Sequence, residues 1–382
     1  MPQLCVGVGV GNTRAVNPAL PLPALTGLRF FAALHVALYH AVRPLLRHAD
    51  DPLTSLMAAG PAAVTLFFVL SGFVLVHSAT DVDHVPLRPF LAARFARIVP
   101  VYLLALVLVV PLGIAARARG LVVDPLGGWS LALVATGLQA FVPDAALRWN
   151  APAWSVSCEL FFYALLPFVL PLLARLPRRA LARSATVAWV LGLVAPVLYL
   201  VVDPDGLHGP QPGDDGLWLH VVQFNPLLRL PDFIVGVVVG WWWRRGGRLP
   251  TSSLSWAALA AIFGTVVVAG VSAVPRLLVH NGLLAPLFAV MILAFATTSG
   301  PLTSLLSSAP AVRLGEASYA LYLLHVPAMM WATAAHKGRL EPAVAVVVVL
   351  ATIPVGLVLN VLFERPLRGW LRSKLMPTSA IS

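Results

Sequence analysis

Charge is scarce in this chain. Only 11% of its 382 residues are Asp, Glu, Lys or Arg, where soluble domains carry about 25%. With 59% hydrophobic residues and a mean hydropathy of +0.87, that deficit excludes a water-soluble enzyme and implies an all-α integral membrane protein. Cysteine is scarce too. Cys5 lies in an N-terminal tail and Cys158 in an apolar run, which excludes a disulfide framework or a cysteine metal site. No metal and no permanently bound cofactor is expected. Lysine is nearly absent, at two of the 26 basic residues, a bias we attribute to a GC-rich genome rather than to function. No Lys/Arg-led signal peptide is read before the first apolar run. The alternation Gly7-Val-Gly-Val-Gly11 lacks the strand–turn–helix context of a dinucleotide loop, so residues 1–23 read as a flexible tail. The net charge of +11 is assigned to the orientation of the chain in the bilayer rather than to nucleic acid.

What the sequence has in abundance is long apolar runs. They fall at about 24–46, 61–79, 95–115, 128–143, 154–174, 184–202, 223–243, 254–274, 281–299, 316–336 and 340–363. The run 128–143 is shorter than the roughly 20 residues a span needs, and is expected to be re-entrant. The remaining runs make about ten spans with both termini cytoplasmic. That arrangement puts 16 Lys and Arg inside and 8 outside, with Arg29 and Arg229 within spans. An eleventh span would export the loop holding Arg175, Arg178, Arg179 and Arg183. The longest outer loop, 203–222, has Asp203, Asp205, Asp214 and Asp215 and no Lys or Arg.

Ionisable groups inside these runs are the candidates for chemistry, because each costs several kcal/mol at bilayer depth unless it faces protein or a wet cavity. In the first run Arg29 and His40 are eleven residues apart. At about 100° per residue they share a helix face, with a rise of roughly 16 Å between them. His35 is turned about 140° from His40. Such a face suits a long ligand with an anionic head and a reactive tail. Arg94 and Arg97 share a face at the cytoplasmic start of the third span, as phosphate-binding guanidinium groups or as snorkelling anchors. In the run opening at Trp154, Ser155 and Glu159 share a face; Glu159 orients a histidine, binds a polar acceptor, or pairs with an arginine. Arg229 and Asp232 read as a structural ion pair. Ser318, Tyr322 and His325 form one polar stripe that either lines a channel or bonds to neighbours. Glu364 ends the last span near the level of Arg94 and Arg97.

Taken together these stretches resemble the acyltransferase-3 family of integral membrane O-acyltransferases. The resemblance rests on Arg29 with His40, Phe67-Phe-Val-Leu-Ser71-Gly-Phe73, Arg94 with Arg97, Trp154-Ser155 with Glu159, Ser318-Tyr319 with Tyr322-Leu-Leu-His325, and Glu364-Arg-Pro366. It covers about residues 24–370, leaving 371–382 as a C-terminal tail. Cys158 before Glu159 departs from the usual aliphatic or polar residue. The resemblance implies transfer of an acetyl or other short acyl group from cytoplasmic acyl-CoA to a hydroxyl-bearing acceptor, in the plasma membrane. Arg94, Arg97, Ser318, Tyr322, His325 and Glu364 are then expected along the donor path, with His40, Arg29 and Glu159 at the chemistry. His40 acts as general base, and Tyr322, His325 or Arg29 stabilises the oxyanion. On this reading Arg29 and His40 border one continuous cavity. The acceptor is a cell-surface sugar or, by preference, a macrolide-like natural product. The competing reading is a transporter or flippase whose buried charges line a translocation path.

Overall fold

The computed structural model describes residues 21–46, 51–79, 85–121, 124–247, 251–271 and 273–376, apart from the side chains of 251–255. No strand occurs among them. The helices are α1 (Pro23–Val42), α2 (Pro52–Ala58), α3 (Ala62–Ser78), α4 (Leu87–Ala118), α5 (Trp129–Thr136), α6 (Trp154–Ala174), α7 (Arg178–Val202) and α8 (Leu217–Phe224). After them come α9 (Pro226–Arg244), α10 (Thr251–Gly270), α11 (Arg276–His280), α12 (Ala285–Thr297), α13 (Pro301–Leu306), α14 (Ala309–Ala335), α15 (Pro342–Leu359) and α16 (Arg365–Leu375). A π-helical turn, Asn360–Glu364, joins the last two.

Among the described residues, seven segments are long and apolar enough to cross a membrane. The count rises to eight if α2 and α3, bent by 49°, form one span. The chain is a multi-pass membrane protein. Its surface agrees: Val187, Leu191, Leu198 and Val201 on α7 are all more than half exposed. Such a belt is tolerated only against lipid. The 128–143 run does not cross. It forms the eight-residue α5, about 12 Å long, which stops at Gly137 in the left-handed conformation and gives way to short 3-10 turns. Residues 1–20 of the expected tail lie outside the described residues, and helix α16 runs through the boundary expected at 370.

Two close helix crossings fix the interior. A Cβ on Gly315 of α14 would sit 1.9 Å from the Thr26 carbonyl oxygen, and one on Gly236 of α9 would sit 2.0 Å from that of Val69 on α3. Without a side chain at these points the backbones approach closely, which is how helices associate where lipid removes the hydrophobic drive. α1 meets α14 at Thr26 with Gly315 and again at His40 with His325, so the two helices run in the same direction. Farther along α14, Pro327 has no N–H to give the Leu323 carbonyl. The Asn150 side chain donates to that carbonyl instead, at 3.0 Å. This bond seats the segment before α6 directly against Tyr322.

Candidate functional site

The polar groups gather in two chambers at different depths. The first is lined by Arg29 of α1, Phe67 and Ser71 of α3, Arg94 and Arg97 of α4, Ser155, Glu159 and Tyr163 of α6, and Ser318, Tyr319 and Tyr322 of α14. It lies toward the end of the bundle where α1, α4 and α14 begin. Three guanidinium groups share it with one carboxylate. Glu159 accepts hydrogen bonds from Tyr163, one turn along α6, and from Ser71 at 3.4 Å. Arg94 stands 5.5 Å from the Phe90 ring centre and 6.0 Å from that of Tyr163. Its buried Nε has no hydrogen-bond partner. That is an uncompensated donor in a cationic pocket, the setting in which an anionic ligand gains most.

The second chamber lies beyond Tyr322. His40 lines it together with Tyr39, Arg43, Trp154, Gln211, Asp214, His220, Gln223, Arg276 and His280. Much of this wall is loop, and its acidic residues fasten the loop. Asp203 accepts from the backbone N–H groups of Leu207 and His208, and Asp205 from those of Trp218 and Leu219, at 2.8 to 3.2 Å. Gln211 N–H donates to Asp214 at 2.7 Å.

A thin septum divides the two. The hydroxyls of Tyr322 and Ser155 are 2.8 Å apart, and each also donates to the Pro152 carbonyl or stands within reach of it, at 3.2 and 3.0 Å. The Phe67 ring packs edge-on to Tyr322, with centres 5.9 Å apart. Thus Arg29 and His40 do not border one open cavity as the shared helix face predicts; they face adjoining chambers. The reason is Tyr322 of α14, whose ring closes this end of the first chamber with its hydroxyl held at Ser155 and the Pro152 carbonyl.

Of the expected site residues, the structure brings Arg29, Arg94, Arg97, Glu159, Ser318 and Tyr322 together in the first chamber. Glu159 keeps company with arginines and not with His40. Glu364 is buried behind that chamber, bonded to Asn360 at 3.2 Å and within electrostatic reach of Arg97. His325 is fully buried and lines neither chamber; it lies against His40. His35 points elsewhere, its Nε2 3.0 Å from the Leu56 carbonyl. Arg229 and Asp232 pair at 2.8 Å, with Arg229 also donating to Thr65 and to the His280 carbonyl. Sequence reasoning missed the Tyr163–Glu159 pair, although its four-residue spacing was visible. It also missed Arg43, three residues after His40, and His220, Gln223 and His280, which only the fold brings to it from α8 and α11.

Residues 22–361 match a family model described as an acyltransferase domain. The chain is 33% identical over 326 residues to "Acyltransferase MdmB" of Streptomyces mycarofaciens, covering 80% of this chain and 78% of that protein. It is 28% identical over 330 residues to "Exopolysaccharide production protein ExoZ" of Rhizobium meliloti (strain 1021), covering 85% and 94%. It is 22% identical to "O-acetyltransferase OatA" of Staphylococcus aureus, covering 91% of this chain and 57% of that protein. No solved structure matches. The chain therefore belongs to the acyltransferase-3 family and is a membrane O-acyltransferase.

Proposed function

We propose that the protein transfers an acetyl or other short acyl group from cytoplasmic acyl-CoA to a hydroxyl of a sugar or of a glycosylated, macrolide-like natural product, in the cell membrane. The carrying observation is the course of α14. Ser318 and Tyr322 face the chamber of three arginines, and one turn beyond the septum His325 touches His40. Donor site and base are thereby joined by one helix.

Ten spans with both termini inside suit this arrangement. α10 and α14 add to the eight apolar segments, α14 having lost hydropathy to Tyr319, Tyr322 and His325. Two helices that run in the same direction, as α1 and α14 do, are separated by an odd number of crossings. Seven such crossings, α2/α3 to α11/α12, follow from the ten-span reading. The arginine chamber then faces the cytoplasm, where acyl-CoA is made.

Arg94 and Arg97 bind the donor's phosphates, with Arg29 deeper along the same wall; Arg94 Nε is the donor still without a partner. The thin pantetheine arm carries the thioester to the septum, and a turn of the Tyr322 side chain away from Ser155 admits the carbonyl to His40. The acceptor enters from the other chamber, whose Gln211, Gln223, Asp214 and His220 offer hydrogen bonds and whose Trp154 and Tyr39 offer flat apolar faces. That mixture suits sugar hydroxyls, and one relative bears a name from exopolysaccharide production.

His40 takes the hydroxyl proton on its ring nitrogen as the oxygen attacks the thioester carbon. The tetrahedral oxyanion forms beside Arg43, which lines the same chamber three residues further on. Its collapse expels the CoA thiolate, which receives the proton back from the imidazolium. The test uses membranes containing the protein, labelled acetyl-CoA and an extract of the producing cells as acceptor source. Release of CoA matched by labelled acceptor is expected. Label that moves across the membrane without CoA release refutes the proposal.

A further inference from the structure

The contact between His40 and His325 determines which nitrogen of His40 is free. His40 Nδ1 lies 2.9 Å from the Val36 carbonyl oxygen, and 3.1 Å from His325 Nε2. His325 Nδ1 in turn lies 3.3 Å from the Leu321 carbonyl oxygen. A carbonyl oxygen only accepts, so each of these Nδ1 atoms carries its proton. A neutral His325 protonated at Nδ1 has its lone pair on Nε2, facing His40 Nδ1–H. The bonds are mutually consistent in this one arrangement. His40 Nδ1–H is shared between Val36 and His325, and the lone pair of His40 is on Nε2. The reverse arrangement, with His325 donating to His40 Nδ1, would set a bare nitrogen against the Val36 carbonyl.

Resting on the reading of His40 as the general base, we infer that His325 is its positioning residue. It holds the His40 ring in the tautomer whose Nε2 can take a proton, and it accepts from Nδ1–H when the ring becomes an imidazolium. His325 is fully buried and lines neither chamber, so it touches neither donor nor acceptor. It gains no proton in the cycle: the acceptor's proton arrives on His40 Nε2 and leaves from the same atom to the thiolate. The ring is braced from behind by Tyr322, one turn earlier on α14, with centres 6.2 Å apart. The sequence stripe Ser318, Tyr322, His325 therefore serves two purposes, with its last member supporting the base and not the donor path.

The experiment compares His325→Leu, which removes the acceptor nitrogen, with His325→Gln, whose side-chain oxygen can still accept. Both are assayed with acetyl-CoA in membranes supplemented with extract of the producing cells. His325→Leu is expected to lower kcat about tenfold, the effect of one lost hydrogen bond, with the KM for acetyl-CoA unchanged; His325→Gln restores most of the rate. Solid-state 15N spectra of histidine-labelled wild-type protein, with the His40 signals identified by their absence from His40→Gln, are expected to show Nδ1 protonated and Nε2 bare. A wild-type spectrum with Nε2 protonated overturns the inference even if His325→Leu fails to fold. So does a leucine variant with normal kcat, or one whose only change is in KM. Failure of the wider reading looks different: His40→Ala itself would retain transfer, whatever the spectrum shows.

Discussion

The two chambers differ in how they are built. Every named group of the arginine chamber stands on a long helix, α1, α3, α4, α6 or α14, with glycine crossings holding α1 to α14 and α3 to α9. The histidine chamber has His40 on a helix but takes much of its remaining wall from residues 210–214, from Val271 and Val274, and from the short α8 and α11. Rigid elements suit a ligand that never varies, and loops suit one that does. An acyl-CoA has the same phosphates and arm in every cell, whereas hydroxyl-bearing acceptors vary in size and shape. On the function proposed above, the donor is then recognised on one side of Tyr322 and the acceptor on the other.

The largest expected effect falls on the histidine side. His40→Ala removes the base and should reduce kcat by about 10²- to 10⁴-fold, with acetyl-CoA binding intact, as isothermal titration would show. Retained transfer in correctly inserted protein removes His40 from the mechanism. Arg229→Ala attacks the same side through stability. It leaves Asp232 buried without its partner and removes one of the two donors to the His280 carbonyl, which keeps the Thr65 hydroxyl at 3.1 Å; losing one member of a buried pair costs about 3–5 kcal/mol. Its melting temperature in detergent should fall sharply. The double variant Arg229→Met with Asp232→Leu should recover most of that loss, since a buried pair replaced whole by apolar groups is close to neutral. No recovery would show that the pair does more than hold α9 to α11.

On the arginine side, Arg94→Ala and Arg97→Ala each remove charged hydrogen bonds worth about 1.5–3 kcal/mol. The KM for acetyl-CoA should rise roughly ten- to hundredfold by the same figure, with kcat much less affected. If kcat falls and KM stays, the phosphates are held elsewhere.

The unequal construction also explains what the sequence disclosed. Helical period placed Arg29 with His40, Arg94 with Arg97, and Ser318 with Tyr322 and His325 on common faces, and each of these residues lines a chamber or, for His325, packs on His40. The resemblance to a family rested partly on these same helical spacings. What period cannot report is the bulk of a neighbour. Nothing in α1 alone reveals that Tyr322 of α14 interrupts the path from Arg29 to His40, or that His325 is turned from the donor path onto His40. The loop 203–222 looked merely acidic. Asp203 and Asp205 in fact bind backbone N–H groups up to fourteen residues away, which depends on a fold and not on a repeat. Charge counting speaks to sidedness alone and is silent on chemistry.

The smallest change on the septum is the sharpest test of its role. Tyr322→Phe keeps the ring in place against Phe67 and removes only the hydroxyl, while Ser155 still donates to Pro152 at 3.0 Å. One neutral hydrogen bond is worth about 1 kcal/mol, so kcat should change by no more than about fivefold. Tyr322→Ala removes the wall itself. Water from the acceptor side then reaches a thioester still held by Arg94 and Arg97, and CoA should be released from acetyl-CoA without any acceptor present. A partition that merely fills space would give the alanine variant weaker packing and no such uncoupling. A partition that keeps water from the thioester until an acceptor hydroxyl is seated gives a leak specific to alanine, absent in phenylalanine, and abolished again when His40→Ala is added.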